Sequence, residues 1–323
     1  MENIGTLDNQ YIILEEKSSG RSTINYLARH NQTQDDYFIS IKKPDYNGND
    51  NFPADEIIAL NFLHDVNNPH IVHFVRNGNG ILALNNKPPK NVNYLVFEYV
   101  HGFCLFDCIY RENLTERHTK LLFRKILNGV QAMHNANICH RDIRPENIIL
   151  DKNYNPKICN FGFASINAIN LNDYNAGTGC YMAPEILENH PYDGYKADIF
   201  SLGQLLFILV TDMFGFKSSN VRDYFYSLIM SNQSDKYWNM RSKEKINPSN
   251  EFKDLFIRMV AYDPLQRPTI DQILNDPWMK ELNDLNDNEL NALENELRNE
   301  LHNRETQYNN NLQLGLHGEE DDE

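Results

Sequence analysis

Short apolar runs come first along this chain. Tyr11 to Leu14, Ile24 to Arg29 and Tyr37 to Lys42 each predict a strand, and a polar loop from Pro44 to Pro53 follows them. From Ala54 to Asp65 the period changes to that of a helix, with Ile57, Leu60 and Leu63 on one face. Ile71 to Val75 and Tyr94 to Tyr99 predict two further strands. Between them Asn77 to Val92, with Pro88-Pro89, is read as a long surface loop. Five strands and one helix are thus expected before the chain turns helical.

Beyond that point the pattern is helical. Glu116 to His134 places Leu121, Leu122, Ile126 and Val130 at helical spacing. The run from Ile199 to Val210 is too short to span a bilayer and holds Ser201, Gly203 and Gln204, so it predicts a buried core helix. Asp287 to Arg304 predicts an amphipathic helix with Leu290, Leu293, Leu297 and Leu301 in one stripe. Two heptads do not make a coiled coil, and the stripe is expected to pack on its own lobe rather than on a second copy. From Gln307 the polar, asparagine-rich sequence predicts disorder.

Composition narrows the function classes. The net charge of −15 argues against nucleic acid and anionic membrane as partners. Glu319 to Glu323 form an acidic run, expected to be a solvated tail. Cys104, Cys108, Cys139, Cys159 and Cys180 are odd in number and contain no CxxC pair, so neither a disulfide framework nor a zinc site is expected. Met1 to Gln10 is polar and lacks the apolar core of a signal peptide. These readings together predict an intracellular, cytoplasmic protein.

The chemistry is concentrated in three blocks: His140-Arg141-Asp142-Ile143-Arg144-Pro145-Glu146-Asn147, then Asn160-Phe161-Gly162, then Ala183-Pro184-Glu185. In order and interval they resemble the catalytic core of the eukaryotic serine/threonine protein kinases. The resemblance covers about Tyr11 to Lys280. It implies a bilobal α+β fold, with an N-terminal extension at 1–10, a small lobe at 11–98, a hinge at 98–102, a large lobe at 103–280 and a helix with an acidic tail at 281–323. It also implies ATP as cofactor, with Mg²⁺ or Mn²⁺, and proteins as substrates or partners.

The roles implied by that resemblance fall on particular residues. Asp142 matches the catalytic base, Thr178 would bond near it, and Arg144 stands where the family has a lysine reaching the transferred phosphate. Lys42 and Glu56 match the phosphate-holding lysine and its ion-pair partner. Phe97 would limit the back of the nucleotide cleft, Glu98 and Val100 would offer backbone groups to adenine, and Ile149 would form its floor. Asn147 matches a metal ligand. Glu185 and Arg267 match a structural ion pair, and Arg141 is expected to pair with Asp173.

Several positions depart from the family pattern. Where the family has aspartate as the main carboxylate on the metal, this chain has Asn160, which keeps one oxygen and loses the charge. The glycine-rich loop aligns as Ser18, Gly20 and Thr23, so one glycine of three remains, and Asn25 follows where an apolar residue should cover adenine. Ser40 likewise replaces a small apolar residue, and Cys104 replaces an acid that bonds ribose hydroxyls. Tyr174 stands at the usual phosphosite, and Ser165 is the one Ser or Thr between Phe163 and Gly177. The sequence therefore predicts a pseudokinase acting as a binding or scaffold module, with weak or absent metal binding at Asn147 and Asn160. The competing reading is an active, atypical serine/threonine kinase that relies on Lys42, Asp142, Asn147 and Arg144.

Overall fold

The computed structural model describes residues 3–45, 48–109, 114–166, 168–174, 176–243 and 246–313. Its first part is built from β1 (Gly5–Leu7), β2 (Tyr11–Ser19), β3 (Thr23–His30), β4 (Asp36–Lys42), β5 (Phe74–Leu84) and β6 (Lys90–Glu98), with α1 (Ala54–His64) between β4 and β5. The strands close into an antiparallel barrel in the order β1-β2-β3-β4-β6-β5. Inward-facing Tyr11, Ile13, Tyr26, Ile39, Tyr94 and Val96 fill it, alternating with outward positions as the pleat requires.

Three expectations are corrected here. The N-terminal extension is partly strand, since Gly5 pairs with both Ile13 of β2 and Leu84 of β5 and so joins the two ends of the sheet. The segment read as a surface loop, Asn77 to Val92, is instead the body of a long hairpin, with Gly78 opposite Tyr94 and Ile81 opposite Asn91. Gly78 has a steric reason, because a Cβ there would lie 2.6 Å from the Tyr94 ring. The strand read at Ile71 to Val75 begins only at Phe74, and Ile71 instead bridges to Ile158 of the large lobe.

The large lobe follows β7 (Gly102–Cys104) and α2 (Leu105–Ile109) with α3 (Glu116–Asn135), β8 (Ile138–Cys139), β9 (Ile148–Asp151), β10 (Pro156–Ile158) and β11 (Ser165–Ile166). Then come α4 (Pro184–Leu187), α5 (Gly194–Thr211), α6 (Tyr224–Met230), α7 (Ser234–Lys243), α8 (Asn250–Met259), α9 (Ile270–Leu274), α10 (Lys280–Asn283) and α11 (Asp287–Gln313). Thr115 starts α3 by accepting a bond from His118 N–H, and Leu121, Leu122, Ile126 and Val130 are buried as their spacing predicts. Asp193 caps α5, whose residues from Ala197 to Thr211 are buried on every side. Among the described residues no helix is long and apolar enough to cross a membrane.

In α11, Leu293, Leu297 and Leu301 are buried and belong to the large-lobe core, so the leucine stripe packs on its own chain. Lys125 meets Glu294 at 3.2 Å, and Tyr154 Oη donates to Glu305 Oε2 at 2.6 Å. The helix continues to Gln313, past Arg304 and over the first residues of the stretch from Gln307 that was expected to be disordered, the rest of which lies outside the described residues. The acidic run at 319–323 lies outside the described residues.

Candidate active site

The catalytic loop is fixed by one buried carboxylate. Asp198, fully buried near the start of α5, accepts from the N–H groups of His140 at 2.9 Å and Arg141 at 2.7 Å. His134 Nε2 lies 2.8 Å from the same side chain. Arg141 takes a left-handed backbone with φ 65°, a conformation unusual for a bulky residue and held here by these bonds. The chain then turns through Pro145–Asn147 into β9, and Asp142 is left 4% exposed at the base of the cleft.

Both oxygens of Asp142 are engaged. Thr178 Oγ1 donates to Oδ1 at 2.8 Å, and Asn147 Nδ2 donates to Oδ2 at 2.7 Å and to the Asp142 carbonyl at 2.7 Å. Because the Asn147 amide nitrogen is committed to Asp142, its oxygen faces the other way. Asn160 Nδ2 donates to that oxygen at 2.9 Å. Asn160 also sits at φ 62°, a left-handed position that short polar side chains tolerate. The two residues expected as metal ligands are therefore bonded to each other.

This donor set does not fit the divalent cation that the resemblance implies. It consists of two neutral amides, one with its oxygen already accepting a bond, beside a carboxylate with both oxygens taken. Mg²⁺ is a hard cation that calls for carboxylate oxygens in near-octahedral array. Among the described residues no group of three or more His, Cys, Asp or Glu side chains converges as a metal site. The packing beneath the turn is intact: Phe161 is buried, stacks on Phe97 at 6.3 Å and meets the His140 ring edge-on at 5.6 Å.

Lys42 and Glu56 do not form the expected ion pair, since no contact within 4.0 Å joins them among the salt bridges of the described residues. Lys42 Nζ lies over the Phe52 ring, 5.5 Å from its centre. The Glu56 carboxylate lies instead beside the Asn160 turn, where a Cβ on Gly162 would stand 4.0 Å from its Oε1. Burial pushes Glu56 up to about 7, and the more distant Lys42 charge only partly opposes this. Arg144 is also partly occupied, since its Nη2 donates to Glu146 Oε1 at 2.6 Å.

The roof of the cleft is polar. Asn25 on β3 donates through Nδ2 to Ser18 Oγ on β2 at 2.9 Å, and its Oδ1 is buried without a partner. Ser40 faces Asn25 across the β3–β4 pairing. The turn holding Gly20 is tethered by a residue that the sequence did not single out: Lys43 Nζ donates to Gly20 O at 2.7 Å and to Ser19 Oγ at 2.9 Å. Only its adjacency to Lys42 could have drawn attention to it.

At the hinge, Glu98 is held by its neighbours, with its Oε1 accepting from His73 N–H at 2.9 Å and Lys157 Nζ at 2.7 Å. Val100, like its neighbours Tyr99 and His101, makes no backbone hydrogen bond with another described residue. Gly102 is required where β7 meets β9, because a Cβ would stand 1.8 Å from Leu150 O. Cys104 and Ile149 then face each other on the paired strands β7 and β9. The Cys104 thiol donates to Pro145 O at 3.5 Å, and burial pushes it up to about 11, so it stays neutral where an acid would have met ribose.

The segment following the Asn160 turn is held without a phosphate. Arg141 donates through Nε to Phe163 O at 2.6 Å and through Nη1 to Tyr192 Oη at 2.9 Å, and Nη1 meets Asp173 Oδ2 at 3.5 Å as expected. Tyr192 Oη also donates to Asp173 O at 2.9 Å. Nothing in the sequence around Tyr192 signalled that role. Tyr174 donates to its neighbour Asn172 at 3.2 Å, and Ser165 is buried in β11.

Comparison with known proteins bears on the family. The family model for the protein kinase domain matches residues 14–279. Over 199 residues, 61% of this chain, the sequence is 38% identical to the probable serine/threonine-protein kinase HSL1 of Saccharomyces cerevisiae, but covers 12% of that protein. It is 31% identical over 268 residues, 81% of this chain, to the probable serine/threonine-protein kinase KCC4 of the same yeast, covering 25% of it. It is 30% identical over 220 residues, 67% of this chain, to CBL-interacting protein kinase 26 of Oryza sativa subsp. japonica, covering 43% of it. The chain thus spans less than half the length of each of these relatives.

Proposed function

This chain belongs to the protein kinase family, and from that premise we propose that it is a pseudokinase, a kinase-fold module that binds protein partners and does not transfer phosphate. One observation carries the reading: the 2.9 Å bond from Asn160 to Asn147 joins to each other the two residues that the family resemblance makes metal ligands. The loss of a preorganised electrostatic group at such a site costs on the order of 3–5 kcal/mol in the transition state, or about 10²–10⁴ in rate. The open Lys42–Glu56 pair, the polar roof at Asn25 and Ser40, and the neutral Cys104 each weaken nucleotide binding further. What remains for ATP is the hinge backbone at Val100 and the apolar floor at Ile149.

A second reading has its own support. Asp142 is buried, firmly held and bonded to Thr178, an arrangement suited to an active serine/threonine kinase acting on protein hydroxyls. Purified protein with labelled ATP and either Mg²⁺ or Mn²⁺ separates the two. No transfer above background is expected, and ATP is expected to raise the melting temperature equally with and without metal. Asn160→Asp restores a carboxylate and is expected to give a metal-dependent increment in that shift. Transfer by the unaltered protein that Asp142→Ala abolishes would overturn the proposal.

A further inference from the structure

We propose that the large lobe carries a two-pocket docking site, between α6, α8 and the end of α4, for an extended segment of a partner protein that bears one apolar and one basic side chain. Neither pocket is lined by a residue assigned to the cleft, so the site stands whether or not phosphate is transferred there.

The first pocket, about 170 Å³, lies between the end of α6 and the end of α8. Ile229, Met230, Ile257 and Ala261 give it an apolar side, and the Arg258 guanidinium that also lines it is already held by Asp254 and Asp276. The second, about 230 Å³, lies between the end of α4 and the turn Pro264–Gln266, and it carries the acids Glu188 and Asp263. Both are smaller than the roughly 300–1,000 Å³ of a pocket that takes a small-molecule ligand. Each suits a single anchoring side chain instead.

The two pockets share Tyr262 and Asp263 and so lie side by side. Pro264 lines one and Gln266 the other, and the residue between them, Leu265, is 86% exposed, with Tyr262 at 41%. One exposed leucine is ordinary, but one that stands between two pockets beside a half-open tyrosine gives a partner an apolar centre to pack on. The acids give the occupant its charge. Tyr262 Oη donates to Glu188 Oε2 at 2.9 Å, and the basic group that approaches Glu188 is His190, at 3.5 Å and charged only when protonated. Asp263 makes no ion pair among the described residues, and its Oδ1 accepts from Leu265 N–H at 2.9 Å. Glu185, which also lines this pocket, is neutralised by Arg267. Among the described residues no lysine or arginine of this chain pairs with Glu188 or Asp263, so one from a partner is the complementary group, and the net charge of −15 steers it in. A second copy of the chain is a poor occupant, because packing this face on itself sets acid against acid.

In an extended segment, side chains two residues apart lie on one face about 6.6 Å from each other, near enough to enter neighbouring pockets together. The probes are therefore two end-capped, fluorescein-labelled serine- and threonine-based peptides, one centred on Leu-Thr-Arg and one on Arg-Thr-Leu to cover both chain directions. The fluorescence anisotropy of at least one is expected to rise saturably with the full chain, with Kd in the range of roughly 10–100 µM. Leu265→Ser should weaken that binding at least about fivefold, and the double change Glu188→Gln with Asp263→Asn at least about tenfold. Melting curves by circular dichroism should stay unchanged, since Leu265 is exposed and the amides still accept from Tyr262 Oη and Leu265 N–H. The proposal fails if neither peptide binds saturably, if a peptide with glutamate in place of the arginine binds alike, or if either variant leaves affinity unchanged. Concentration-dependent dimerisation in sedimentation that Leu265→Ser abolishes would likewise overturn it, by making a second copy the occupant.

Discussion

In the large lobe, Arg267 meets Glu185 through two bonds of 2.7 Å, its side chain fully buried, and it also donates to the carbonyls of Ala261 and Lys196. In the small lobe, Lys42 lies over Phe52, and Glu56 turns toward Gly162 with a raised pKa. Two lysine- or arginine-to-glutamate pairs were expected, and one is made. The difference follows the division of labour in the molecule. The first pair joins α4 to the turn before α9 and is part of what holds the lobe together. The second lies in the small lobe and matches a pair that, in the family this chain resembles, would serve a ligand. Bonds that serve the fold are complete, and those that would serve magnesium and triphosphate are open or closed on themselves.

The sharpest way to break this comparison is to remove Arg267. Arg267→Ala leaves the Glu185 carboxylate buried without its partner, which costs about 3–5 kcal/mol. Urea unfolding should show a fall of that size, and Arg267→Met with Glu185→Leu should recover a large part of it, because two apolar groups leave no charge behind. A fall below about 1 kcal/mol would mean that the large lobe does not depend on this pair.

The parts of the fold that were legible in the sequence share a physical origin. Asp142, Asn147, Glu185 and Arg267 could be placed because each does a job that few side chains can do, at a fixed distance along the chain from the others. The helices α3 and α5 were legible because they bury whole faces, and burial writes its period into the sequence. The β5–β6 hairpin was not, because its Asn77-Gly78-Asn79-Gly80 stretch has the composition of a turn. Gly78 is there to admit the Tyr94 ring, a partner 16 residues away that no local pattern reveals. The end of α11 was misread for a similar reason, since the contact of Tyr154 with Glu305 holds it from outside.

At the site, residue types could be read but not their states. Asparagine at 160 announced a lost charge, yet its bond to Asn147 depends on which way that amide is turned by Asp142. The open Lys42–Glu56 pair could not be read at all, because both residues are present and only their separation differs.

A pH series sharpens the comparison at the next scale of effect. The folded Glu56 carboxyl keeps its proton up to about pH 7, whereas its ordinary value is 4.5. Between those values the folded state binds more protons than the unfolded state, so this group makes stability fall as pH rises through the window and level off above it. Glu56→Gln cannot ionise and should escape that fall. Its advantage over the unaltered chain, read from urea midpoints between about pH 5 and pH 8, should grow with pH to on the order of 2 kcal/mol. A gap that shrinks with pH would mean that Glu56 gains a cationic partner on ionising, and Lys42 is the nearest candidate.

The smallest effect is expected at Lys42 itself. Among the described residues no carboxylate lies within 4.0 Å of its ammonium, and its contact with the Phe52 ring, at 5.5 Å and a partly exposed position, is worth roughly 0.5–1 kcal/mol. Lys42→Met keeps an unbranched chain over that ring and loses the charge, so the unfolding free energy should change by about 0.5 kcal/mol or less. In the unaltered chain and in Glu56→Gln the substitution should have the same effect, since two groups that do not touch add independently. Non-additivity above about 1 kcal/mol in that cycle at pH 8 would show the pair closed in solution. The two lobes would then differ in degree, and the inactive reading would rest on Asn160, the polar roof at Asn25 and Ser40, and Cys104.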